Sequence, residues 1–342
     1  MRLEDRLVAF SILGQELQAF LANKGTYNTF LDNAIEKAKV DNPWFTDESV
    51  ANAIRGIITL LDNKKLENWV SNYSLSEDSK TVACILAGNI PMVGFHDMLC
   101  VLLSGHHFIG KTSSKDKQLL PVLAEIIIQA DKRFEERITF VSDLKDIKYD
   151  AVIATGSNNT ARYFQQYFGH LPHIIRKGRS SVAILSGNET KEALEGLGDD
   201  IFMYFGLGCR NVSKIYIPKG FDIRGIFSHF TKYSNYQHHH KWINNYNYNR
   251  SINLVNQQHF YETEFALFQE SSSLISPIAV VYYEEYESLS DLLLFLYANN
   301  EQLQCIVSNI KSNDFVPLGK AQYPEADDYA DNIDTLAFLS TL

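Results

Sequence analysis

Residues 81–114, TVACILAGNIPMVGFHDMLCVLLSGHHFIGKTSS, decide the fold. TVACILAG reads as a buried strand. PMVGFHDMLCVLLSG reads as a helix opened by Pro91 and closed near Gly105, because proline suits a first helical turn and glycine a helix end. HFIGKTS is a second strand. The alternation then continues with a helix in KQLLPVLAEIIIQADKRF and strands in RITFVS and YDAVIATGS. Strands alternating with helices imply right-handed βαβ units and a parallel sheet. A Rossmann-like half running to about residue 180 is predicted.

The flanking segments read differently. Residues 1–75 are helical in pattern. In NPWFTDESVANAIRGIITLL, Thr46 can cap a helix whose first turn carries Asp47 and Glu48, with Val50, Ile54, Ile57, Ile58 and Leu61 on one face. SSVAILSG opens a second α/β region, with further strands in SKIYIP and SPIAVVYY and a helix from about Asp222. Residues 233–258, rich in Asn, Tyr and His, read as a polar connection holding at most one helix. His238, His239 and His240 are consecutive, which is poor spacing for a metal site, so a solvated linker is expected. The tail from Pro324 ends in a short apolar helix. The expected division is 1–180 and 181–342, long enough in each part to bury a core.

With 342 residues and a net charge of −10, the chain is poorly suited to nucleic acid, which needs a concentrated positive surface. The four cysteines are far apart and show no CxxC spacing, so neither a zinc site nor a disulfide framework is expected, and a reducing cytoplasm fits. The N-terminus is amphipathic and carries acidic residues, unlike a signal peptide. No apolar run is long enough to span a membrane.

In YFGLGCRNVS, residues 204–213, Cys209 follows a Gly-Leu-Gly turn and precedes Arg210. A reactive thiolate could be exposed there, since a nearby cation raises the thiolate population. A buried, inert cysteine is the alternative, and is the reading taken for Cys84 and Cys100. Asn89, between the first strand and its helix, is either an N-cap or a donor into a site.

The order AGNIPMVGFHDMLCVLLSGHHFIGKTSS, ATGSNNTAR, RKGRSSVAILSG, FGLGCRNVSKIYIP resembles the aldehyde dehydrogenase superfamily. Within it, AGNIPMVGFHD and DDYADNIDTLAFL are most similar to the fatty acyl-CoA reductases of the LuxC type. The resemblance runs from about residue 40 to the C-terminus. It implies an α/β, aldehyde-dehydrogenase-like fold: a Rossmann-type nucleotide-binding domain within 1–180 and a catalytic, thiol-bearing domain in 181–342. It implies reduction of an acyl-CoA, long-chain by the family, to aldehyde through a thioester on Cys209. Asn89 and the Cys209 amide would donate to the oxyanion. Lys111 would bind the cofactor's adenosine ribose. Ser114 stands where NAD-preferring relatives carry a glutamate, and Lys115 follows, which favours NADPH. Gly156 and Ser157 would face the pyrophosphate, and Gly178 lies near the cofactor side. No metal is implied.

Two departures from the family pattern matter. Ile175 falls at or near the glutamate of hydrolytic members, and no Asp or Glu lies between Asp150 and Glu189. Ser273 replaces a carboxylate that grips the nicotinamide ribose. Two alternatives stay open: an aldehyde dehydrogenase acting oxidatively, and a nucleotide- or acyl-binding module without turnover. A homo-oligomer is left open as well.

Overall fold

A computed structural model describes residues 1–75 and 78–342. The chain forms two compact units, Met1–Gly178 with Pro324–Leu342, and Arg179–Tyr323.

The first unit begins with four helices, α1 (Leu3–Leu21), α2 (Asn28–Asp41), α3 (Asp47–Leu60) and α4 (Asn63–Val70). Thr46 caps α3 as its sequence suggests, its hydroxyl accepting the Ser49 amide proton at 3.2 Å. Such a cap stabilises a helix by about 1 kcal/mol. Val50, Ile54 and Ile57 are buried, and Ile58 lies at the margin of that face. The α/β part follows: β1 (Thr81–Ile85), α5 (Phe95–Leu103), β2 (His107–Lys111), α6 (Leu119–Ala130), β3 (Ile138–Val141), β4 (Ala151–Thr155), α7 (Asn158–Phe168) and β5 (His173–Arg176). The sheet order is β3-β2-β1-β4-β5, parallel throughout. Phe10 of α1 packs edge-on against Phe95 and Phe134, joining the helical segment to the sheet layer.

One helix starts later than its sequence suggests. Pro91 does not open α5; Gly94 is its N-cap. Residues 91–94 form turns, with Met92 in the left-handed region at φ 56°. The buried carboxylate of Asp116 accepts the Met92 amide proton at 2.9 Å and fixes that turn.

The second unit contains β6 (Ser180–Ile184), α8 (Lys191–Phe202), β7 (Val212–Pro218), α9 (His240–Val255), β8 (Phe260–Glu262), β9 (Leu267–Glu270), β10 (Val280–Tyr286), α10 (Leu289–Ala298), β11 (Leu303–Val307) and β12 (Phe315–Val316). Its sheet order is β12-β11-β6-β7-β10-β9-β8, with only β8 antiparallel to its neighbour. The polar 233–258 segment is mostly structured, by the end of a 3₁₀ stretch over Ile223–His238 and by α9. Phe202 gathers Phe230, Tyr233, Trp242 and Phe265 around it, which buries the apolar side of this polar segment.

The tail returns to the first unit, where α11 (Thr335–Ser340) packs against α5. The expected continuous second part, 181–342, therefore ends at Tyr323. The return is held by polar contacts that no local pattern reveals. His106 Nε2 meets the Leu339 carbonyl at 2.9 Å, and Thr335 accepts from Arg176 at 2.9 Å. Among the described residues no helix is long and apolar enough to cross a membrane.

Candidate functional site

In the first unit the strand order reverses between β1 and β4. Open α/β sheets bind ligands outside the carboxyl ends of their strands at such a switch point. Asn89 follows β1 and is half-buried. It does not cap α5, since Gly94 does. Gly156 and Ser157 follow β4. The Gly156 amide donates to the Arg176 carbonyl at 3.3 Å, and a Cβ there would lie 3.0 Å from Phe164 and Thr160. Ser157 is the N-cap of α7, its hydroxyl accepting the Thr160 amide proton at 3.3 Å. Gly178 donates its amide to Asn158 Oδ1 at 3.1 Å. The fold thus brings Gly156, Ser157 and Gly178 together at the start of α7, where exposed amides and the helix dipole favour an anion.

Lys111 ends β2 and is partly buried, whereas Ser114 and Lys115 are exposed on the turn that follows. Gly88 lets the chain after β1 pass this turn, because a Cβ there would sit 2.5 Å from the Ser113 hydroxyl. The acid in that turn, Asp116, points inward, accepting from Met92 at 2.9 Å and Leu119 at 3.3 Å. Burial pushes its carboxyl up to about 6 against those two bonds. The exposed part of 111–117 therefore presents Ser114, Lys115 and Lys117, with no outward carboxylate. This donor set suits an anionic group.

In the second unit Cys209 lies at the bend between α8 and β7 and is half-buried. Gly208 and Asn211 close a turn around it, the Asn211 amide donating to the Gly208 carbonyl at 3.1 Å. Ser181 on β6 donates its hydroxyl to the Cys209 carbonyl at 3.1 Å, and its oxygen lies 3.1 Å from the Cys305 sulfur. Just upstream, Tyr204, Phe205 and Gly206 are all left-handed, at φ 55°, 56° and 67°. For the two aromatic residues this costs on the order of 1–3 kcal/mol each. Stacking of Phe205 on Tyr236, at 4.3 Å between ring centroids, offsets part of it. Cys84 and Cys100 are fully buried, and burial drives both thiols well above their ordinary range. A thiol held protonated is a poor nucleophile.

The model of the LuxC acyl-CoA reductases matches residues 29–227. The chain belongs to the LuxC acyl-CoA reductase family. It is an aldehyde-forming acyl-CoA reductase, and its fold is that of the aldehyde dehydrogenases. Aldehyde dehydrogenase 21 from Physcomitrella patens superposes with a TM-score of 0.70 at 11% identity, over 100% of this chain and 84% of that one. An NADP-dependent enzyme from E. coli gives 0.65 at 11%, over 92% and 74%. An indole-3-acetaldehyde dehydrogenase complexed with NAD+ gives 0.63 at 10%, over 91% and 77%. No curated protein matches the sequence.

The reductase places other residues unexpectedly. Ile175 lies on β5 and packs against a cluster containing Ala83, Ile109, Val152 and Ala154. Arg176 beside it is buried, its Nη1 2.7 and 2.8 Å from the two carboxylate oxygens of Asp97. The absence of an acid between 150 and 189 holds along the chain, but the tail supplies one in space. Asp331 accepts the Lys177 amide proton at 3.2 Å, from a left-handed backbone at φ 59°. Its signal in the sequence is the tail motif DDYADNIDTLAFL. Asp116 and Asp331, beside the candidate positions of the first unit, and Asn211, beside Cys209 in the second, are the residues that pattern reading misses. Two histidines have structural contacts: His96 Nε2 meets the Ala326 carbonyl at 2.8 Å, and His239 caps α9 rather than standing in a solvated linker.

Proposed function

We propose that the acyl group of an acyl-CoA passes through a thioester on Cys209 and leaves as aldehyde, with NADPH as reductant. The Cys209 thiolate attacks the thioester carbonyl. The new carbon–sulfur bond forms first and the carbonyl oxygen becomes an oxyanion, which collapses as the bond to coenzyme A breaks, and the departing thiolate takes a proton. Asn89 donates its side-chain amide to the oxyanion, as does the Cys209 amide; one such donor is worth about 2.7–4 kcal/mol. A nicotinamide cofactor would supply the hydride to the acyl carbon when bound, and the aldehyde leaves as the carbon–sulfur bond to Cys209 breaks and the thiolate is restored. Lys111, Ser114 and Lys115 hold its adenosine end, while Gly156, Ser157 and Gly178 receive the pyrophosphate.

One observation carries this reading most directly. Cys209 sits half-buried on a turn that follows Gly208 and a left-handed run at 204–206, while Cys84 and Cys100 are buried with their thiols pushed up. The preference for NADPH rests on the inward turn of Asp116, which leaves no outward carboxylate to repel a 2′-phosphate. Thiolate chemistry needs a reducing compartment, which supports the cytoplasm. Long-chain acyl-CoA should oxidise NADPH with one aldehyde formed per cofactor, and Cys209→Ala should abolish both. Cofactor oxidation unaffected by that substitution would overturn the proposal.

The oxidative, hydrolytic reading has Asp331 in its favour, a carboxylate at the end of β5. That carboxylate already accepts the Lys177 amide proton, so one of its lone pairs is engaged.

A further inference from the structure

We infer that Asn211 is a positioning residue for Cys209, an inference that rests on the reading of Cys209 as nucleophile. Asn211 is 2% exposed and has every polar atom of its amide engaged. Its Nδ2 donates toward the carbonyls of Asp200 and Ile201, each at 3.2 Å, and of Met203 at 2.7 Å. These carbonyls belong to the end of α8, where a helix leaves its last acceptors without internal donors. Its Oδ1 accepts the Gly208 amide proton at 2.8 Å. One side chain therefore ties the helix end to the Leu207–Gly208 peptide, one link before the peptide that enters Cys209.

The tie has a direction. The Asn211 side chain holds the Leu207–Gly208 peptide, its backbone amide holds the Gly208 carbonyl at 3.1 Å, and Ser181 holds the Cys209 carbonyl, so the peptides before and after Cys209 are fixed from one turn. Neither tie touches the thiol, so Asn211 acts through backbone placement. The left-handed run at 204–206 lies inside the loop that Asn211 closes. Without the amide, that strained run can relax and carry the turn with it. A displacement near 1 Å at a nucleophile costs about 10²-fold in rate.

Asn211→Ala and Ser181→Ala are compared with wild type in rapid-mixing acylation by acyl-CoA without cofactor, following release of coenzyme A. The expected result is a full burst, one coenzyme A per folded chain, with its rate constant lowered about 10²-fold in Asn211→Ala and less in Ser181→Ala. Asn211→Asp keeps the acceptor for Gly208 but faces three carbonyls. Its burst should quicken as pH falls and the new carboxyl protonates. A normal rate constant with a reduced burst would show that Asn211 only maintains the folded fraction, and would overturn the inference. So would a Ser181→Ala burst unchanged in rate, should Asn211→Ala fail to fold. Acylation persisting in Cys209→Ala would instead defeat the nucleophile assignment.

Discussion

Replacing Asp97 by Ala should destabilise the first unit more than any surface change near the cofactor end. Arg176 is buried, and its partners are both Asp97 oxygens and, through Nη2 at 2.9 Å, the Thr335 hydroxyl. Its Nε is buried without a partner. Burial opposes the guanidinium charge, and Asp97 more than offsets that opposition. Removing Asp97 leaves the cation with one neutral contact. Breaking a buried pair from one side costs about 3–5 kcal/mol. With a denaturant slope near 3 kcal/mol per molar, the urea midpoint should fall by roughly 1–2 M. Replacing both members, as Asp97→Ala with Arg176→Met, removes the stranded charge and should recover most of the loss. The assay is tryptophan fluorescence in a Trp242→Phe background, which leaves Trp44 and Trp69 reporting the first unit. A midpoint within about 0.3 M of wild type for Asp97→Ala would refute the reasoning. So would a double variant no better than the single one.

Three further outcomes are expected. Ser114→Glu should shift preference from NADPH toward NADH, by repulsion of the 2′-phosphate; equal wild-type affinity for both cofactors would remove the argument. Burial raises the Asp200 carboxyl to about 7 against the amides of Gly319 and Ala321, so the folded state holds a proton that the unfolded chain has released. Stability is then lost as pH rises from about 4 to 7, by up to roughly 4 kcal/mol from this group, and Asp200→Asn should flatten the slope. Parallel profiles would contradict it. Acyl-enzyme formed without cofactor should outlast many turnover times, because water needs a positioned base, an effect of about 10²–10⁴-fold. Rapid release of fatty acid, abolished by Asp331→Asn, would instead make Asp331 that base.

The βαβ core was legible because its strands are short apolar runs punctuated by Gly and Pro, and because β1, β2 and β4 each end in a recognisable polar or glycine-bearing motif. Strand β5 was not, because HIIR is only four residues and ends in a buried arginine whose partners lie on α5 and α11. Strands β8 and β12, of three and two residues, are too short to show a period of two. Asn211 looks like any turn asparagine, and only the fold reveals three carbonyls around its amide. Asp116 and Asp331 were hidden by distance in sequence or by direction. A carboxylate two residues after Ser114 could have gripped a ribose had it pointed outward. The return of the tail rests on single polar contacts such as His106 with Leu339, which have no periodicity to read.

The thioester itself is the most direct test. The protein is incubated with acyl-CoA and no cofactor, digested, and the mass of each cysteine-bearing peptide measured. The account predicts one added acyl mass, on the peptide carrying Cys209, and its disappearance with formation of aldehyde when NADPH is added. An adduct on Cys84, Cys100 or Cys305, or full turnover by Cys209→Ala, would contradict it.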